Sequence, residues 1–218
     1  MFLHGYGGSK ESFSYQLNYF SNFFKVYAPD LSGFKTPLKF AYSLSDYAKE
    51  VEDFLAATGE KNFSVIAHSF GARIVLKLSP YPFKKIVFTG AAGLKSKKSP
   101  AYYFKKWGYK SIKAVFGENL AKKFSQKVNE NGVESMPENN RLSFIKIVNE
   151  NLDYKLKDIT AETLLLWGNR DKETPPYLAK RFKKGIKNSQ LVFLDGGHFA
   201  YIDDYASFNI IAKDFLLS

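Results

Sequence analysis

The sequence predicts an α/β protein: a three-layer α/β/α sandwich on a mostly parallel sheet, with a helical segment inserted between residues 94 and 159. Three observations predict it. Short apolar runs recur at residues 25–28, 63–67, 85–89, 163–167 and 191–194. Segments with helical apolar spacing lie between most of them, at residues 12–23, 44–57, 70–78 and 177–184. Strand alternating with helix is the pattern of parallel strands joined by crossover helices. Third, the interval from 94 to 159 breaks the alternation and carries no strand signal.

Each element has its own justification. The chain opens on apolar Met1-Phe2-Leu3, a short strand that runs into His4-Gly5-Tyr6-Gly7-Gly8. Residues 63–67 read as a buried strand, and the apolar spacing of Ile74, Val75, Leu76 and Leu78 reads as a packed helix directly after it. Within 94–159, helical patterns occur at 101–116, 120–128 and 140–149, punctuated by Gly108, Gly117, Gly132 and Pro137. Residues 205–216 close the chain as a helix with Phe208, Ile211, Ala212 and Phe215 on its apolar side. Neither internal repeats nor low-complexity linkers divide the chain.

The chemistry concentrates at strand ends. Ala67-His68-Ser69-Phe70-Gly71 joins the second strand to its helix, with small residues two positions either side of the serine. That spacing is a nucleophile elbow: the turn admits only small flanking side chains and holds the hydroxyl clear of the backbone. Ala67 stands where glycine is more common. Two later strands also end in chemistry. One is Leu164-Leu165-Leu166-Trp167-Gly168-Asn169-Arg170-Asp171, and the other is Leu191-Val192-Phe193-Leu194-Asp195-Gly196-Gly197-His198. Nucleophile, acid and histidine follow in the order of the α/β-hydrolase superfamily. The sequence resembles that superfamily over essentially its whole length.

The resemblance implies a fold, a cap and a chemistry. Residues 1–93 and 160–218 would form the α/β-hydrolase core, and 94–159 a helical cap over the active site. Tyr102, Tyr103, Phe104, Trp107 and Phe116 are candidates to line the cap's lower face. Members usually carry two further strands before the one ending in His-Gly, so either an edge hairpin is lost or the polypeptide begins upstream. Loss would expose an unpaired strand edge.

Ser69 is the expected nucleophile and needs a base to take its proton. His198 is that base, because His4 and His68 are accounted for by their motifs. Asp171 is the expected acid that orients His198. Asp195 is a rival, three residues from the histidine and badly placed to reach it. The oxyanion hole is expected from the backbone N–H groups of Phe70 and Tyr6. His4, Tyr6, His68 and Trp107 are candidate substrate contacts, with His4 bracing the oxyanion loop and His68 a packed neighbour of the nucleophile. Asp30-Leu31-Ser32-Gly33-Phe34 resembles the family's Asp-x-x-Gly-x-Gly loop without its last glycine and reads as structural.

A serine nucleophile implies acyl-enzyme chemistry on a small carboxylic ester, lactone or amide, or C–C cleavage of a diketone. A receptor of the same fold with little turnover is the alternative from another class. Nothing in the sequence suggests a metal or organic cofactor.

Composition bounds the rest. A chain of 218 residues is one domain long enough to bury a sizeable core. It has no cysteine, which excludes disulfides and thiolate metal sites. No apolar run approaches the ~20 residues of a membrane span, and the N-terminus lacks the pattern of a signal peptide. A cytoplasmic protein acting on a small molecule, without nucleic-acid or membrane partners, is expected. The net charge of +11 is read as a solvated surface, since Lys, Asn, Phe, Tyr and Ile are abundant throughout and no nucleic-acid motif is present. One local excess remains: ten lysines against Glu118 alone between Leu94 and Lys127. It would bias the site toward anionic substrates if it faces them.

Overall fold

Successive side chains on a strand point to opposite faces, and here both faces are apolar. Such a sheet must be covered on both sides. The computed structural model of the protein describes residues 1–96 and 136–218. Its five strands are β1 (Phe2–Leu3), β2 (Val65–His68), β3 (Lys85–Thr89), β4 (Glu162–Gly168) and β5 (Ser189–Leu194). All neighbours are parallel, in the spatial order β1-β2-β3-β4-β5.

The helices are α1 (Ser14–Phe20), α2 (Leu44–Thr58), α3 (Phe70–Leu78), α4 (Glu138–Asn149), α5 (Pro176–Gly185), α6 (Ala200–Asp203) and α7 (Tyr205–Leu217). On one face Leu3, Val65, Ala67, Phe88, Leu165 and Trp167 pack with the buried sides of α2, α3 and α5. On the other, Phe2, Ile66, Val87, Leu164 and Leu166 pack with Phe20 of α1, Tyr201 of α6 and Phe208 of α7. The result is the three-layer α/β/α sandwich expected.

Two elements differ from the sequence reading. Residues 25–28 form no strand; their link to the sheet is the Phe2 N–H donating to the Tyr27 carbonyl at 2.8 Å. β1 is two residues long and offers a neighbour too few ladder positions for a second pair. The helix expected at 12–23 starts as a 3₁₀ turn, Lys10–Phe13, and becomes α-helical only over Ser14–Phe20. Phe13 sits between them with φ −106° and ψ 22°, outside the α region, and its ring is fully buried.

The described residues between 136 and 159 pack against the rest of the fold. α4 buries Asn140, Ser143 and Ile147. The Asn140 amide donates to the Gly33 carbonyl and accepts from the Leu38 N–H, and Ser143 Oγ accepts from the Tyr42 N–H at 2.8 Å. The helices expected at 101–116 and 120–128, with Tyr102, Tyr103, Phe104, Trp107, Phe116 and most of the lysine-rich stretch, lie outside the described residues. Among the described residues no helix is long and apolar enough to cross a membrane.

Candidate active site

The elbow forms because β2 ends against a helix that starts at once. Ser69 lies between them with φ 47° and ψ −105°, the one non-glycine residue at positive φ among those described. Such a conformation costs about 1–3 kcal/mol and persists only where its surroundings enforce it. The Ser69 N–H donates to the Thr89 carbonyl at 3.2 Å, and the Ser69 carbonyl accepts from Ala72 and Ala92. Gly71 completes the turn, since a Cβ there would collide with the Leu3 carbonyl. α3 therefore passes directly over β1, and the serine stands at its N-terminus.

The Phe70 N–H opens α3 and has no carbonyl one turn back to bond. Among the described residues the Tyr6 N–H has no backbone acceptor either. Both residues border a cavity of about 540 Å³ that also contains Ser69 and His198 on its wall. His4 supports the Tyr6 loop from behind. Its Nε2 accepts from the Leu31 N–H at 3.0 Å, which leaves Nδ1 to donate to the Gly5 carbonyl at 2.8 Å. Both ring nitrogens are thus occupied by backbone, and burial lowers the pKa of the ring. His4 is not among the residues on the cavity wall, and its ring lies behind the Tyr6 loop.

On the opposite wall, Gly168 ends β4 beneath the 196–197 turn; a Cβ there would meet the carbonyls of Gly196 and Gly197. That close approach brings Asp171 and His198 together, with Asp171 Oδ2 2.9 Å from His198 Nδ1. Thr174 Oγ1 donates to the same oxygen at 2.7 Å, and the N–H groups of Glu173 and Thr174 donate to Oδ1 at 2.9 Å. Burial raises the Asp171 pKa, but hydrogen bonds from His198 and Thr174 outweigh it and leave a net lowering. Asp195 points elsewhere: it is exposed and pairs with Arg170.

His68 is buried on the cavity wall with Nε2 donating to the His198 carbonyl at 3.1 Å, beside the rings of His198, Phe199 and Tyr201. Burial lowers its pKa to about 3, so it is neutral at any ordinary pH. Tyr6 lines the cavity and donates its hydroxyl to the Asn140 carbonyl at 3.1 Å, tying the loop to α4. Trp107 lies outside the described residues.

Other residues here were not anticipated from sequence. Thr174 had a readable signal, three residues after Asp171 in a turn where a carboxylate accepts from following N–H groups. Glu173, whose Oε2 is 3.4 Å from His198 Nε2, had none. Nor did Phe144, Ile147 and Val148, which bring an apolar wall to the cavity from α4. The described hydrogen bonds include none between Ser69 and His198; in unliganded sites that bond is often long.

An AB hydrolase superfamily protein, YisY, of Bacillus subtilis (strain 168) is 25% identical over 99% of this chain and 90% of its own length. An esterase from Exiguobacterium antarcticum superposes with a TM-score of 0.76 at 20% identity, covering 100% of this chain and 91% of that one. A meta-cleavage product hydrolase from Pseudomonas fluorescens IP01 superposes with a TM-score of 0.71 at 20% identity, covering 99% and 89%. The alpha/beta hydrolase family model matches residues 1–209, and the chain belongs to that family.

Proposed function

We propose that this protein is a serine hydrolase that cleaves a small carboxylic ester, or a related acyl or C–C bond, through an acyl-enzyme. The observation that carries the reading is the 2.9 Å contact of Asp171 with His198, which shares a cavity with the strained Ser69. Asp171 fixes the tautomer of His198 with Nδ1 protonated, so Nε2 is left as the base. Nε2 takes the Ser69 proton as Oγ bonds to the substrate carbonyl carbon. The carbonyl oxygen becomes an oxyanion held by the Phe70 and Tyr6 N–H groups, each donor worth roughly 2.7–4 kcal/mol in comparable sites. Nε2 then hands the proton to the departing alcohol oxygen as the C–O bond breaks. Water, deprotonated by the same nitrogen, releases the acid and restores Ser69.

Helix α4 forms part of a cap in this reading, with Phe144, Ile147 and Val148 against the acyl chain. The test is a fluorophosphonate probe beside p-nitrophenyl ester turnover. Labelling confined to Ser69, with turnover lost in Ser69→Ala and His198→Ala and little further loss in the double variant, is expected of residues acting as a unit. Near-parental hydrolysis by Ser69→Ala would falsify the assignment. Labelling without turnover would instead favour a receptor.

A further inference from the structure

The charges on the cavity wall are few, and one of them is already occupied. Among the described lining residues the ionisable groups other than histidine and tyrosine are Arg73 and Glu173. Arg73 Nη1 donates to the carbonyls of Ile147 and Glu150 at 2.8 and 2.9 Å, and Nη2 to that of Val148 at 3.4 Å. Its guanidinium thus caps the C-terminal end of α4, where free carbonyls favour a cation, and is not open to a substrate carboxylate. Glu173 is different. Its backbone is fixed by the N–H bond to Asp171 Oδ1, while its side chain is 67% exposed and its Oε2 lies 3.4 Å from His198 Nε2.

Resting on the serine-hydrolase reading above, we infer that Glu173 sets specificity on the leaving-group side, favouring esters of alcohols that carry a cation or a hydrogen-bond donor over those that carry a carboxylate. The nitrogen beside Glu173 is the one that protonates the departing oxygen, so that oxygen comes within a few ångströms of it. The alcohol half of the substrate must therefore pass the Glu173 carboxylate. A second carboxylate there meets like charge at short range; an ammonium or hydroxyl meets a partner. Solvent at this exposed side chain keeps the effect moderate, about three- to ten-fold in kcat/KM.

The test uses the intact protein and three acetate esters: acetylcholine, its uncharged isostere 3,3-dimethylbutyl acetate, and the anionic acetoxyacetate, with released acid titrated. In about 0.3 M salt, where the long-range attraction of the net charge is largely screened, the parent is expected to rank cation above neutral above anion. In Glu173→Gln the cation-to-anion ratio of kcat/KM should fall about three- to ten-fold, with the melting temperature as a check on folding. A parent that still prefers the anionic ester in that salt, or an unchanged ratio in the folded variant, overturns the proposal while leaving the hydrolase reading intact. Absence of both fluorophosphonate labelling and turnover of the neutral ester overturns the two together.

Discussion

Asp171 and Asp195 lie at the ends of neighbouring strands and differ in what surrounds them. Asp171 is buried among three hydrogen-bond donors and the His198 ring, whereas Asp195 faces solvent beside Arg170. Asp171→Asn should therefore lower kcat by about 10³–10⁴-fold, as expected when the acid no longer fixes the histidine tautomer. Asp195→Asn should stay within about twofold, since an exposed ion pair contributes little. Thr174→Val, which removes one charge-assisted bond to Asp171, should fall between them. Steady-state kinetics on one ester orders the three, and a reversal of the two aspartates would make Asp195 the acid.

Buried His68 gives the fold a pH dependence of definite sign. Its pKa falls from 6.5 to about 3 through burial, so the folded protein excludes a proton that the unfolded chain accepts below pH 6.5. Above that value both states are neutral and nothing is lost. As pH falls from 6.5 toward 3, stability declines by about 1.4 kcal/mol per unit, or about 2 kcal/mol at pH 5. His4, also lowered by burial, adds in the same direction. Urea unfolding from pH 7.5 to 5 should show this slope, and His68→Gln should flatten it. An unchanged slope would mean that His68 is protonated in the fold.

At the scale of elements, legibility followed the range of the forces involved. α3 (Phe70–Leu78) and β3 (Lys85–Thr89) occupy the residues expected, because an apolar periodicity and a small-residue turn are local properties. The segment at 25–28 has the composition of a strand, but whether it pairs depends on a two-residue neighbour far away in sequence. The wall that α4 brings to the cavity is a stronger case. Its helix was expected, but its place is fixed by Arg73, Asn140 and Tyr6 acting across gaps of 74, 102 and 134 residues. Nothing in a periodicity encodes such a meeting. Arg73→Met, which frees the carbonyls of Ile147, Val148 and Glu150, should loosen this wall and raise KM for esters with long acyl chains more than for acetates, with kcat less affected. Gly71→Ala should cost stability by about 1–3 kcal/mol or more, through overpacking against the Leu3 carbonyl. Proportionate KM increases for short and long acyl chains in Arg73→Met would assign the clamp a purely structural role.

Across the whole molecule two electrostatic effects of opposite sign reach an anionic substrate, and their ranges separate them. The net charge of +11 attracts anions from a distance, whatever the lysines between Leu94 and Lys127 face. That attraction is screened over a Debye length of about 10 Å at 0.1 M salt. In the proposed role Glu173 acts within a few ångströms of the alcohol half of an ester, inside the Debye length, so salt weakens its effect less than the long-range attraction. Raising salt from about 0.01 to 0.3 M should therefore lower kcat/KM for acetoxyacetate, which loses its steering, while 3,3-dimethylbutyl acetate stays flat. The ratio of Glu173→Gln to parent for the anionic ester should change little over the same range. If instead both esters respond alike to salt, the net charge has no bearing on encounter. If the variant-to-parent ratio collapses to one at high salt, Glu173 is acting as one more diffuse surface charge rather than through its place beside His198.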